Sequence, residues 1–138
     1  MNNTTLRDLA TSEVATLAGL APSTVRDWLA SGCASTISRR AHGRRWHSPR
    51  DAAVVRLATE LTRIGWAPHL AVVAVAEMLP AVEAGRRYLA MPPRPDGRVG
   101  MALDDPPADL RGAGWLVLPA GEMLAEVYRR AAKLRGAA

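Results

Sequence analysis

The stretch "TSEVATLAGLAPSTVRDWLASG" (residues 11–32) contains two short helix patterns in immediate succession. Its opening Thr-Ser pair suits a helix start, and Gly19 suits the end of that first helix. Pro22 fits the first turn of a second helix, which Gly32 ends. Each pattern has one apolar side to bury, formed by Val14, Leu17 and Ala18 in the first and by Val25, Trp28 and Leu29 in the second. Two short helices joined by a tight glycine-containing turn predict a helix-turn-helix.

A strongly basic segment follows, "SRRAHGRRWHSPRD" (residues 38–51), with five arginines, two histidines and a single acid. The arms "TISRR" and "RRWH" flank Ala-His-Gly, which predicts a β-hairpin that turns at Gly43. Ser48 is then followed by proline and, three residues later, by Asp51, which is typical of a capped helix start. We expect that helix to run to about Ile64 and another to span 68–79, ending near Pro80.

The positive charge is concentrated in the N-terminal half of the 138 residues. Residues 1–63 contain nine arginines and five acids, a net +4, whereas residues 64–138 contain nine cations and eight acids, a net +1. An uneven basic excess favours a polyanionic partner, nucleic acid first and an anionic membrane second.

Other features of composition indicate a soluble, cytoplasmic protein. With 49% hydrophobic residues the chain can form a core, as one domain or as one small domain with an appendage. Cys33 is the single cysteine, which fits a reducing compartment. The beginning of the sequence has no apolar signal core, and the longest apolar run, at 70–82, is too short to span a bilayer. We therefore expect no membrane association.

Residues 9–79 resemble the MerR-type winged helix-turn-helix family. The resemblance rests on the helix-turn-helix stretch above and on "RRAHGRRWHSPRDAAVVRLATELTRIGW", with an aromatic after paired basic residues, a Ser-x-x-Asp helix start and a closing Gly-aromatic pair. It implies that the second helix enters the major groove and that the hairpin is a wing on the DNA backbone. The family's sensing cysteines are absent, and no long dimerisation helix follows residue 79. The resemblance therefore implies DNA binding but neither signal sensing nor the family's mode of dimerisation.

Proline and glycine become frequent after residue 88, where "YLAM", "RVGMAL" and "WLVLP" are strand candidates. A last amphipathic helix is predicted over 121–136, with the apolar stripe Met123, Leu124, Val127, Ala131 and Leu134. The predicted fold is mainly α with a β-hairpin wing: a winged helix-turn-helix domain at 1–80, then a small α+β region at 81–138. We expect this C-terminal region to form a homo-oligomer or to dock a partner, and a chain ending near Leu79 to remain folded as a monomer.

The function predicted from these features is that of a sequence-specific transcriptional regulator on double-stranded DNA. An alternative is a phage-type DNA-assembly or architectural factor, such as an excisionase-like protein or a terminase small subunit. A third is a protein-interaction module that no longer binds DNA. No pattern for a catalytic nucleophile, a phosphate loop or a metal appears, so we expect neither an enzyme nor a cofactor.

The predicted DNA contacts lie on the second helix and on the hairpin. On the helix, side chains at its start would reach bases or phosphates, although hydroxyls there often only cap and Arg26 could instead pair with Asp27. On the hairpin, the arginines, Arg50 included, would neutralise phosphates, and Trp46 would anchor one strand to the core. The predicted contact residues are Ser23, Thr24, Arg26, Arg39, Arg40, His42, Arg44, Arg45 and His47.

Overall fold

The structure is a computed structural model that describes residues 3–95, 98 and 100–136. The helices of this part are α1 (Thr11–Ala18), α2 (Pro22–Trp28), α3 (Ala34–Ile37), α4 (Pro49–Arg63), α5 (Pro68–Glu83), α6 (Ala108–Gly112) and α7 (Ala120–Gly136). Its strands are β1 (Leu9–Ala10), β2 (Arg39–Ala41), β3 (Arg44–His47), β4 (Tyr88–Met91), β5 (Met101–Leu103) and β6 (Leu116–Leu118). The described chain is mostly helical with two small antiparallel sheets, which confirms the mainly-α class.

Helix α1 ends at Gly19 and α2 begins at Pro22, as the sequence predicts, but α2 ends at Trp28, before the predicted stop at Gly32, and passes into a π-helical turn over Leu29–Cys33. Gly19 ends α1 in the left-handed region at φ 74°, and the Leu20 amide donates to the Ala15 carbonyl at 2.9 Å. This is the Schellman arrangement, in which a residue with positive φ lets the last carbonyls of a helix find donors. Three residues later Pro22 begins α2, so the two helices are joined by a tight turn.

The segment after α2 bends before the first sheet. Gly32 has φ 108° and interrupts the helical path within Leu29–Cys33, after which the short α3 leads into β2. Strands β2 and β3 form the predicted hairpin, in which Arg40 is opposite Arg45. The two-residue strand β1 adds to the free side of β3 and pairs Leu9 with His47, a strand that the sequence pattern does not reveal.

Helix α4 is the central helix, since it packs against α1, α5 and α7. It begins with the predicted cap: the Asp51 amide donates to Ser48 Oγ at 3.0 Å, and the Ser48 amide donates to the Asp51 carboxylate at 2.8 Å. The prediction that α5 ends near Pro80 is wrong, because α5 continues to Glu83. A proline keeps helical φ and removes a single amide donor, so a helix packed along its length can continue past it.

The C-terminal region is a small α+β unit, as the sequence predicts. Strand β4 lies between β5 and β6, with Leu89, Ala90 and Met91 buried, and α7 follows β6. The Trp66 indole N–H donates to the Pro92 carbonyl at 3.2 Å and ties this region to the end of α4. None of the described helices is both long and apolar enough to cross a bilayer.

Most of the apolar stripe of α7 packs against other helices of the same chain. Leu124, Val127 and Ala131 are buried, and α7 packs against α1, α4 and α5. Residues of α7 therefore belong to the same hydrophobic core as α1 and α4, and a boundary at 80/81 does not divide that core. Leu124, Val127 and Ala131 are therefore not available for self-association, whereas Leu134 at the end of the stripe is exposed.

Candidate nucleic-acid interface

Helix α2 buries one side and presents a polar one to solvent. Val25 and Trp28 are buried, whereas Ser23 and Arg26 are exposed and Thr24 is half-buried. The Arg26 guanidinium forms no ion pair with any residue that the structure describes, so the predicted alternative of a pair with Asp27 is not observed. Of the three predicted contact residues on α2, the exposed Ser23 and Arg26 are fully available to a ligand.

Four of the seven strand positions of the hairpin have an arginine. Arg39, Arg40 and Arg44 are exposed, and Arg45 is half-buried with a hydrogen bond to Ser38 Oγ at 3.3 Å. Arg40 and Arg45 are directly opposite each other and point to the same face of the sheet. Like charges in that position destabilise a strand pair, so this arrangement costs folding free energy unless an anion binds there.

Trp46 stiffens the other face of the hairpin. Its indole N–H donates to the Ala41 carbonyl at 3.2 Å, and the Arg44 guanidinium lies over its ring at 5.2 Å from the centroid. Trp46 is half-buried, so it covers the strands rather than entering the core as Trp28 and Trp66 do. This stacking holds the Arg44 charge close to the hairpin surface.

The turn of the hairpin consists of His42 and Gly43, both with positive φ, at 54° and 76°. Two-residue hairpin loops favour this backbone because its twist matches that of the strands. The His42 ring is exposed at the tip, where the predicted contact with a phosphate is geometrically open. His42 is the only non-glycine residue of the described chain with positive φ.

His47 does not belong to the interface, and the prediction that it contacts DNA is wrong. Its side chain is 0% exposed, its Nδ1 lies 2.6 Å from the Ile37 carbonyl, and its Nε2 lies 3.0 Å from Thr11 Oγ1. A carbonyl only accepts, so Nδ1 carries the proton and Nε2 accepts from the hydroxyl. Burial lowers the pKa of His47 below its ordinary value, against an opposing effect of the Ile37 hydrogen bond. His47 is thus a neutral residue that fixes β3 to α1 and α3.

Arg7 is a structural residue that the sequence pattern does not single out. Its guanidinium binds both oxygens of the Asp51 carboxylate, at 2.9 and 3.2 Å, and donates to the Thr36 carbonyl at 3.2 Å. These bonds join the N-terminal segment, the end of α3 and the start of α4. Arg7 is separated from Asp51 by 44 positions, so only the fold brings the two together.

The arginines of α2 and the hairpin differ from many others of the described chain because they form no ion pair with a described acid. In ion pairs between described residues, seven arginines bind an acid, and one of them is Arg50, which binds Glu83 at 3.0 Å. The other six are Arg7, Arg56, Arg63, Arg86, Arg129 and Arg135. Arg26, Arg39, Arg40, Arg44 and Arg45 have no acidic partner within residues 3–95, 98 and 100–136. Their charges are consequently available to an anion.

The described residues contain no group of three or more His, Cys, Asp and Glu side chains arranged to hold a metal ion. The exposed polar groups of α2 and the hairpin include the guanidinium groups of Arg26, Arg39, Arg40 and Arg44, the Ser23 hydroxyl and the His42 imidazole. No protein-family model matches the chain, and no curated protein matches it significantly.

Proposed function

We propose that the protein is a sequence-specific binder of double-stranded DNA of the winged helix-turn-helix type, acting as a transcriptional regulator. In this proposal α1 and α2 are the helix-turn-helix, α2 enters the major groove, and the β2–β3 hairpin is the wing. The resemblance of residues 9–79 to the MerR-type family supports the same assignment.

The observation that carries the proposal is the set of five arginines on α2 and the hairpin that have no acidic partner among the described residues. Both elements pack against α1, α2 directly and the hairpin through β3. The cross-strand pair of Arg40 and Arg45 adds a local repulsion that a phosphate would relieve. A surface that only needed to be soluble would gain nothing from this arrangement.

The side chains divide into two roles. Arg26 and Ser23 are on the exposed side of α2, where they would reach base edges, because guanidinium groups bind guanine through two hydrogen bonds. Arg39, Arg40 and Arg44 are on the wing, where they would bind phosphates of any sequence. Arg45 is held by Ser38 and would contribute mainly through its charge.

A module of this size buries only about 600–1,000 Å² on DNA, so tight specific binding generally needs two copies on neighbouring half-sites. Homo-oligomerisation through the C-terminal region stays a prediction. The buried part of the α7 stripe, Leu124, Val127 and Ala131, is not available for it, because these side chains pack within the core of the same chain.

The test is the salt dependence of DNA binding by a wing variant, Arg39→Ala/Arg40→Ala/Arg44→Ala. Each lost phosphate contact should reduce the magnitude of the log–log salt slope by about 0.9, or by about 3 for the three. The matched control, Arg63→Ala/Arg86→Ala/Arg111→Ala, removes the same number of exposed arginines from other elements. Fluorescence anisotropy from low to moderate salt, on DNA from upstream of the protein's own gene, gives both slopes.

We expect the control variant to keep the slope of the unmodified protein. Equal losses in the two variants would mean that net charge alone attracts the DNA, and the wing assignment would be abandoned. Absence of salt-sensitive binding by the unmodified protein would contradict the proposed function as a whole.

A further inference from the structure

A cavity of about 430 Å³ lies between α1 and the C-terminal half of α7. Leu17 of α1 and Leu134 of α7 give it an apolar lining. Leu134 belongs to the apolar stripe of α7 but is 37% exposed. The cavity is a different place from the hairpin, and nothing in the proposed function uses it.

The charged groups around the cavity are three cations and one acid: Arg129, Arg130, Lys133 and Glu126. Arg129 binds the Glu126 carboxylate, with its Nη2 at 2.6 Å from each oxygen. This hydrogen bonding lowers the pKa of Glu126, so its carboxylate is ionised and is already bound to Arg129. Arg130 and Lys133 have no hydrogen bond or ion pair with any described residue, although the Arg130 charge also acts on Glu126, so three cations face one acid around the cavity.

The polar groups of the cavity can therefore donate hydrogen bonds but offer little to a cationic ligand. The Thr16 hydroxyl, also in the lining, already donates to the Ser12 carbonyl at 3.1 Å. Arg130 is half-buried, so its guanidinium is partly withdrawn from water and interacts more strongly with an anion than a fully solvated charge would.

We propose that this cavity binds a small organic anion, with its carboxylate or phosphate group on Arg130 and Lys133 and its apolar body against Leu17 and Leu134. The proposal does not depend on DNA binding. A DNA phosphate has the same charged group but no apolar body, and the experiment separates the two.

The probes are phenyl phosphate and inorganic phosphate, titrated into the full ¹⁵N-labelled chain at constant ionic strength. We expect amide shifts that saturate and are confined to residues 16–17 and 126–134. Phenyl phosphate should bind several-fold more tightly than inorganic phosphate, because its ring would cover the two leucines. The variant Arg130→Gln/Lys133→Gln should bind phenyl phosphate about tenfold more weakly or worse, since two charge-assisted hydrogen bonds are lost.

The control variant Arg63→Gln/Arg111→Gln removes two positive charges elsewhere and should bind phenyl phosphate as the unmodified protein does. Shifts spread over the hairpin, or equal affinity for the two phosphates, would overturn the proposal. So would a cavity variant that keeps phenyl phosphate binding and instead loses about two units of DNA salt slope, since that result assigns the two cations to DNA.

Discussion

Arg26 and Arg44 are both exposed and have no acidic partner in the part of the chain that the structure describes, but they lie on different elements and should behave differently on DNA. Arg26→Ala removes a side chain of α2 and should weaken the preferred site by roughly 1–3 kcal/mol while relaxing preference at one base pair. Arg44→Ala should weaken all sequences alike and reduce the salt slope by about one unit. Binding to the preferred site and to single-base variants of it distinguishes the two effects. Even losses on every sequence for both variants would show that α2 does not read bases.

His47 should make stability depend on pH in the weakly acidic range. Burial lowers its pKa in the folded protein, whereas the unfolded chain has the ordinary value near 6.5. The unfolded state therefore binds the proton more readily, and the contribution of neutral His47 is complete above pH 6.5 and is lost as the pH falls below it. Urea unfolding at pH 7.5 and pH 5.5 should show a smaller loss for His47→Asn than for the unmodified protein. His42→Asn, which changes an exposed ring, should keep the unmodified pH dependence.

The two histidines also show how far the sequence can predict whether a single residue is exposed or buried. His42 and His47 are five positions apart in the same basic stretch, and composition gives both the same prediction. His42 lies in the hairpin turn and is exposed, whereas His47 ends β3, where it pairs with Leu9 of β1, a strand of two residues with no distinct sequence pattern. The exposed arginines were easier to identify, because a charged side chain without a partner stays at the surface.

At the scale of elements, the turn of the wing can be tested without changing any charge. Gly43 has φ 76°, a conformation that costs other residues roughly 1–2 kcal/mol, so Gly43→Ala should destabilise the hairpin by about that amount. Gly112→Ala is the matched control, because Gly112 is in α6 and a Cβ there meets nothing within 4 Å. Thermal unfolding should show a loss for the first and no loss, or a small gain, for the second. Equal changes in thermal stability for the two variants would mean that a side chain at position 43 does not strain the turn.

Elements with a local signal were predicted well, and those that depend on distant contacts were not. The bounds of α1 and α4 follow from Gly19 and from the Ser48–Asp51 cap, which act within a few residues. The continuation of α5 through Pro80 depends instead on packing along its whole length, since Val75, Leu79 and Val82 are buried on either side of the proline. Local propensity carries no information about such contacts.

At the scale of the molecule, the two ends of the chain are bonded to each other. The Arg135 guanidinium binds Asp8 Oδ1 at 2.6 Å and donates to the carbonyls of Asn3 and Leu6. Tyr128 of α7 donates to Glu83 at 3.2 Å, and Glu83 in turn pairs with Arg50 at the start of α4. The last helix therefore ties together the N-terminal segment, α4 and α5, which an amphipathic stripe alone could not reveal.

This arrangement leads us to expect that a chain ending at Leu79 does not fold stably, contrary to the expectation from sequence. Such a chain lacks the buried side chains of α7 and β4, including Leu89, Val127 and Ala131, and leaves in water the sides of α4 and α5 that α7 covers. Burying one large aliphatic side chain stabilises the fold by about 1.5–3 kcal/mol. Losing several of them is therefore comparable to the whole free energy of unfolding of a typical domain, about 5–15 kcal/mol. Thermal unfolding followed by near-ultraviolet circular dichroism should be cooperative for residues 1–138 and absent or broad for residues 1–79. A cooperative transition in the short chain, with native-like dispersion of its amide resonances, would instead show that the first 79 residues form a core of their own and that α7 is an addition to it.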